Sequence, residues 1–367
     1  MTASARTVLA LTGVAATAFA TSACAPGRSE DNGKPTVVAS TNTWASVVRA
    51  VGGDNVNVRS IISDPAADPH SYESSPRDAA ALSDADLVVF NGGGYDDFVE
   101  QTLSSNGTQK PTVKAMDSEP GDAAKPENNR EHGGHEPGEQ EQGKHEQGHQ
   151  ERGNQEHRDH DHEGREQDHD HEGHNQGSQK QGQREHAGHN HSVNEHAWYD
   201  LPTVAQVADR VADELTRIQP DKTAEFHRSA EQFHSDIGGL RARVHDIAAR
   251  QQGKKVIVTE PVAHYLVEHA RLADVTPQSF VNAVESEKDP SAASVAEIQN
   301  AVNSHQAAAM IYNPQTESPV TRGIRDAARG NGTPVVEMTE TVPAGKTYPQ
   351  WMNDQISALD SALNAHP

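Results

Sequence analysis

The chain has 367 residues, a formal charge of -23, 33% hydrophobic and 4% aromatic residues, and a single cysteine. The acidic balance, without a basic stripe, excludes a nucleic-acid partner, and one cysteine excludes an internal disulfide. Past the N-terminus no run of about 20 apolar residues occurs, so the mature chain is not expected to span a membrane.

Residues 1–24 read as an export signal: Arg6, the apolar run TVLALTGVAATAFA (7–20), then small residues before Cys24. The placement of Cys24 after TSA resembles the lipobox of bacterial lipoproteins, although Thr21 stands where Leu, Val or Ile is usual. That resemblance implies acylation of Cys24 and a lipid anchor on the outer face of the cell membrane, or in the periplasm. Cleavage and release is the alternative. Residues 25–34 read as a flexible tether.

Folded sequence begins with a strand at TVVAS (36–40) and a helix over 43–52, with Trp44, Val47, Val48 and Val51 on one side. Strands follow at 56–62 and 85–90, separated by a helix over 76–85 that opens on Pro76. After NGGG (91–94) come a helix around Asp96–Leu103 and a strand near Thr112–Met116. Strands alternating with helices predict a parallel sheet covered on both faces.

From 118 to 193 the composition changes. The histidines His132, His135, His145, His149, His157, His160, His162, His169, His171, His174, His186, His189 and His191 are thirteen of the chain's 22. They stand among Glu, Asp, Gln and Gly in phrases such as HRDHDHEG (157–164). Such a run cannot bury enough apolar surface to offset its ordering entropy, so disorder is expected. Its imidazoles and carboxylates make a loose ligand pool for borderline divalent metals. A tag or a solvated charged linker is the plainer reading.

The sequence regains aromatic residues at NEHAWYD (194–200), then predicts an amphipathic helix over 202–219 broken by Pro220. From Asp221 to Gln251 a long helix is expected, with Phe226, Phe233, Ile237, Leu240, Val244 and Ile247 on one seam; Gly238 and Gly239 weaken it. The alternation then resumes: strand 255–260, helix 261–272, helix 291–303, strand 307–313, helix 318–330, strand 333–339 and helix 348–363. The expected fold is α/β, with two similar lobes, each a mostly parallel sheet flanked by helices. Residues 35–219 form the first lobe, with 118–193 as an insertion; 220–252 form a linking helix, and 253–367 the second lobe.

In open α/β sheets, ligands bind beyond the carboxyl ends of the strands. Four potential metal ligands fall at such places: His70 in the loop 63–76, His196 after the insertion, Glu260 ending a strand, and Glu340 just after one. Read singly they are weaker. A loop histidine is often a turn residue, and Glu260 or Glu340 would pass for a carboxylate at a helix N-terminus. His264 lies one turn from Glu260, and His227, His234, His245 and His269 fall on helices at no shared ligand spacing, which favours solvated faces.

These residues resemble the metal-binding, substrate-binding lipoproteins of ATP-binding-cassette zinc and manganese importers. DPHSYE is similar to that family's first ligand motif, which implies His70. NEHAWYD is similar to the second, usually Asn-Pro-His-x-Trp-x-Asp, which implies His196, with Glu195 replacing the proline. Glu260 with Tyr265 matches the third, where many zinc importers carry histidine, and TET (339–341) puts Glu340 at the fourth, where Asp is commoner. YNPQT (312–316) and TYPQWM (347–352) also look like family segments. The resemblance implies a monomeric, non-enzymatic solute-binding protein that hands its ion to a membrane permease. The His₂Glu₂ set resembles the manganese branch as much as the zinc branch; the His-rich insertion, like the loop of zinc-uptake members, favours Zn²⁺ over Mn²⁺. A manganese or iron importer component remains an alternative, as does a metal-buffering or adhesin lipoprotein. A zinc hydrolase is disfavoured, since no HExxH occurs and four protein ligands would leave no open position.

Overall fold

A computed structural model of the chain describes residues 33–64, 67, 69, 72–105, 107, 109–117, 194–285 and 288–365. Cys24, the tether before residue 33, His70 and the thirteen histidines of the insertion lie outside the described residues.

The first half alternates as its sequence dictates. Strand β1 (Thr36–Thr41) leads into helix α1 (Asn42–Gly52), where the Thr41 hydroxyl accepts from the Trp44 amide and caps the first turn. Trp44, Val47, Val48 and Val51 form the buried face of α1. Strand β2 (Asn57–Ile62) precedes helix α2 (Pro76–Asp84), which opens with a capping box of Ser75 and Asp78 and a proline in its first turn. Strand β3 (Leu87–Phe90) is wholly buried; helix α3 (Asp97–Ser105) and strand β4 (Thr112–Lys114) follow. The four strands pair in parallel in the order β2-β1-β3-β4.

After residue 194 the chain makes a single 3₁₀ turn at Ala197–Tyr199 and enters helix α4 (Leu201–Ile218), whose N-terminus is capped by the Asp200 carboxylate. Helix α5 (Thr223–Gln251) follows a short 3₁₀ turn at Pro220–Lys222. Its 29 residues give a rod about 44 Å long. The seam expected on α5 is buried from Phe226 to Ile247. Gly238 and Gly239 do not interrupt it: a methyl group on either would meet open space, so their only effect is the entropic weakening of glycine.

The second half repeats the plan. Strand β5 (Lys255–Val258), a 3₁₀ turn (Pro261–Ala263) and helix α6 (His264–His269) lead to strand β6 (Ala273–Asp274) and helix α7 (Gln278–Glu285). Helix α8 (Ala292–Asn303), strand β7 (Ala309–Tyr312), helix α9 (Pro319–Gly330), strand β8 (Val335–Glu337) and helix α10 (Tyr348–Ala365) complete it. The second sheet is parallel in the order β6-β5-β7-β8, the counterpart of the first.

Two features differ from the sequence expectation. The single helix expected over 261–272 is a 3₁₀ turn followed by six α-helical residues, and it stops where Arg271 takes φ +52°. Strand β6 has only two residues, too short for any periodicity to announce it, and α7 follows it closely.

One core runs through both lobes: α5 packs against α1 and α4 on one side and α6 and α10 on the other, and a continuous buried cluster joins Val37 and Trp44 to Val258 and Ile311. Smaller clusters fill the outer faces, Val38, Leu82 and Val88 on the first sheet and Ile257, Phe280 and Ile324 on the second. Among the described residues no helix is long and apolar enough to cross a membrane.

Candidate metal centre

At the carboxyl ends of the strands, three of the four anticipated donors meet. His196, Glu260 and Glu340 each present a ligand atom, and these atoms lie within 4.8 Å of one another. All three are buried, at 1%, 5% and 0% exposure. His196 enters from the first lobe through the turn before α4; Glu260 follows β5 in an extended conformation, and Glu340 follows β8. Glu260 stands two residues beyond the end of β5, at the mouth of the Pro261–Ala263 turn, yet its side chain makes no capping bond there. Its side chain is thus turned to the cluster and not to the amides of the turn it precedes. Glu340 begins no helix; seven residues separate it from α10.

The imidazole is held in one orientation. Asn194 Oδ1 accepts from the His196 backbone amide at 3.0 Å and lies 3.1 Å from His196 Nδ1. The Asn194 amide is itself oriented, because its Nδ2 donates to the Pro261 carbonyl at 3.1 Å. An acceptor facing Nδ1 holds a proton there, which leaves Nε2 as the ring nitrogen turned toward the carboxylates. Nε2 lies 3.5 Å from Glu260 Oε1. That separation suits a shared ion, since the edge of a tetrahedron with arms of zinc–ligand length is about 3.3–3.6 Å. Trp198 packs edge-on against the imidazole, with ring centroids 5.2 Å apart, and Tyr95 packs against Trp198 at 4.7 Å.

The carboxylates are oriented by neutral donors. Asn313 Nδ2 donates to Glu260 Oε2 at 2.8 Å and to Glu340 Oε1 at 2.7 Å. The Thr316 hydroxyl donates to Glu260 Oε2, and the Tyr95 hydroxyl donates to Glu340 Oε2 at 2.8 Å. Burial first, and the Glu340 charge second, push the Tyr95 phenol well above its ordinary range, so it stays protonated and donates. None of these donors brings a positive charge, so the acidic pair keeps its attraction for a cation.

Tyr95 reaches the centre because Gly92, Gly93 and Gly94 all take positive φ, at +75°, +68° and +97°. A methyl group on Gly92 would fall 2.2 Å from Lys114 Cε. Beneath this turn the buried Asp96 carboxylate accepts from the amides of Asn91 and Gly92, each at 2.7 Å. Burial pushes the Asp96 carboxyl up to about 6, against the pull of the Ser40, Asn91 and Gly92 hydrogen bonds.

The loop bearing Glu340 is fastened to the first lobe. Thr43 Oγ1 donates to the Glu340 carbonyl at 2.9 Å, and Asn42 makes a reciprocal pair of bonds with the backbone of Val342. Gln315 takes the Glu340 amide on its Oε1 and donates through Nε2 to the Ala67 carbonyl at 2.8 Å. His70, three residues after Ala67, lies outside the described residues.

The other histidines stand apart from this cluster. His227, His245 and His264 are exposed on their helices, and His234 meets Asp209 at 2.8 Å on the surface. His269 is exposed on α6 as its sequence pattern suggests, and its Nε2 also lies 2.8 Å from Oδ1 of the buried Asp200, tying α6 to the cap of α4. The residues that sequence reading missed are those around the ligands, namely Tyr95, Asn194, Asn313 and Thr316. YNPQT contained two of them, but spacing alone gives an asparagine or threonine no role.

The chain matches, over residues 37–362, the family described as zinc-uptake complex component A, periplasmic. It is 23% identical over 342 residues to the zinc-binding lipoprotein AdcA of Streptococcus pneumoniae, covering 92% of this chain and 57% of that protein. The chain thus spans little more than half the length of that curated relative. It is 36% identical to the manganese ABC transporter substrate-binding lipoprotein PsaA of the same species over 72 residues, which are 19% of this chain and 23% of PsaA. Its fold is that of the periplasmic zinc-binding protein TroA of Treponema pallidum, with a TM-score of 0.60 at 16% identity, covering 90% of this chain and 99% of TroA. Two parallel sheets of matching order, a buried cluster of one imidazole and two carboxylates at their strand ends, and a match over most of the chain agree: the protein belongs to the periplasmic zinc-uptake component A family.

Proposed function

We propose that the chain captures Zn²⁺ between its two lobes and delivers it to the permease of an ATP-binding-cassette importer. The observation that carries this reading is the convergence of His196, Glu260 and Glu340 ligand atoms within 4.8 Å inside a buried cleft. His70 supplies the fourth donor, a reading supported by the likeness of DPHSYE to the family's first ligand motif. Two nitrogen and two oxygen donors suit zinc in four-coordinate geometry. The likeness to the zinc-binding lipoprotein AdcA supports the same ion.

Acylation of Cys24 holds the protein at the outer face of the membrane. The histidines of 118–193 collect metal at many weak sites and raise its concentration beside the cleft. Since an imidazole must lose its proton to bind, uptake weakens in acid. The stiff α5 and the bonds from Asn42 and Thr43 to the Glu340 loop limit lobe opening, so release proceeds by small movements of ligand-bearing loops. Manganese is the second reading, favoured by the two carboxylates and by the segment shared with PsaA.

Competitive titration of zinc against manganese, with elemental analysis of the bound ion, tests the proposal on the whole chain and on His196→Ala. One tight zinc site should vanish in the variant while bulk capacity persists. Identical titrations for the two proteins would refute it.

A further inference from the structure

The two carboxylates of the cleft are not equally constrained. Glu260 Oε2 receives two hydrogen bonds, from Asn313 Nδ2 and from the Thr316 hydroxyl. A carboxylate oxygen has two lone pairs, and two donors engage both. Oε1 of the same group lies 3.5 Å from His196 Nε2, on the side where the ligand atoms gather. Glu340 accepts from Asn313 on Oε1 and from Tyr95 on Oε2.

The Asn313 amide cannot turn to relax this arrangement. Its Oδ1 accepts from the Gln315 amide at 3.0 Å, its backbone N–H points to Thr259 Oγ1 at 3.4 Å, and the residue is 2% exposed. Both hydrogens of Nδ2 are therefore aimed at the carboxylate pair. A neutral amide draws two anions together without the charge of a lysine or arginine, which would repel an incoming cation. Thr316 supplies Glu260 Oε2 with a second donor beside Asn313.

We propose that Asn313 and Thr316 are specificity-setting positioning residues: by engaging both lone pairs of Glu260 Oε2 they hold Glu260 to ligation through one oxygen. This rests on the reading of the cleft as a divalent-cation site. One-oxygen ligation suits four-coordinate zinc. Manganese favours octahedral, oxygen-rich coordination, and the second oxygen of Glu260 would supply one of those positions. The discrimination between the two ions thus lies partly in two uncharged side chains that touch neither.

The test is Thr316→Val, which keeps the branched shape and removes the hydroxyl, with Thr316→Ser restoring it. Zn²⁺ and Mn²⁺ affinities of the first equivalent are measured by competition, and Co²⁺ serves as a spectroscopic probe of coordination number, each spectrum taken as the difference from His196→Ala. Thr316→Val should lower the zinc-to-manganese affinity ratio about tenfold, within the usual range for groups that orient metal ligands. Its Co²⁺ bands should weaken as coordination number rises, and Thr316→Ser should restore both. Asn313→Ala, which frees both carboxylates, should weaken zinc binding by about 10–100-fold. An unchanged ratio and Co²⁺ spectrum in a folded Thr316→Val protein would overturn the inference. If instead the wild-type chain and His196→Ala take up the first equivalent alike, the cleft reading itself falls, and this inference with it.

Discussion

The two lobes carry the same sheet, β2-β1-β3-β4 in one and β6-β5-β7-β8 in the other, yet they differ at the carboxyl ends of their strands. The second lobe supplies oxygen: Glu260 after β5, Glu340 after β8, and between them Asn313 after β7. The first lobe supplies an imidazole through the turn before α4 and, at the end of β3, a glycine turn that delivers the Tyr95 hydroxyl. A shared scaffold therefore fixes where the strand ends lie, and the loops beyond them decide which atoms meet. The difference also crosses the cleft, because the Glu340 loop is bonded to α1 through Asn42 and Thr43.

The strongest way to break this division of labour is to remove a donor from one side. Glu340→Ala deletes the carboxylate at the junction of both lobes, and zinc affinity should fall by more than the roughly 10–100-fold typical of orienting partners, as read by competition with a chelator. Next comes the wall behind the imidazole. Trp198 is 1% exposed and packs against both His196 and Tyr95, so Trp198→Ala should cost about 3–5 kcal/mol in urea unfolding and loosen metal binding as well. Thr43→Val cuts the hydroxyl bond to the Glu340 carbonyl and should cost about 1 kcal/mol, with a measurable rise in the zinc off-rate if the first lobe steadies that loop.

Asp96 sharpens the comparison through pH. Its carboxyl is raised to about 6 in the folded chain, above its ordinary value of 3.8, so the native state holds this proton more tightly than the unfolded one. Stability from this group is present at low pH and is lost as pH rises through the window from about 4 to about 6. Against Asp96→Asn, the metal-free wild-type chain should lose denaturation midpoint across that interval. At the small end, Gly239→Ala in the exposed middle of α5 should stabilise the chain by about 0.5–1 kcal/mol without altering zinc binding, because the new methyl group meets nothing.

The sequence made the scaffold readable for physical reasons. Strands buried on both faces appear as short valine-rich runs, and α5 announces itself by six apolar residues at helical spacing. The candidate donors could be singled out only together, through their likeness to a family's motifs, because a loop histidine or a carboxylate before a helix has plainer duties when read alone. Tyr95, Asn194, Asn313 and Thr316 were not legible in role, since their work depends on which lone pair they meet, and only three-dimensional proximity sets that. The two-residue β6 left no period to detect, and the short α6 reflects a stop at Arg271 that side-chain pattern does not encode. His269 faces solvent as expected, but its bond to Asp200 could not be foreseen, because the two residues are distant in the chain.

The most direct measurement is anomalous diffraction at the zinc edge from crystals of the chain given one equivalent of Zn²⁺. The account predicts a single strong peak bonded to His196 Nε2, Glu260 and Glu340, with His70 as the remaining protein ligand. A peak held elsewhere, or none within bonding distance of those three side chains, would contradict it.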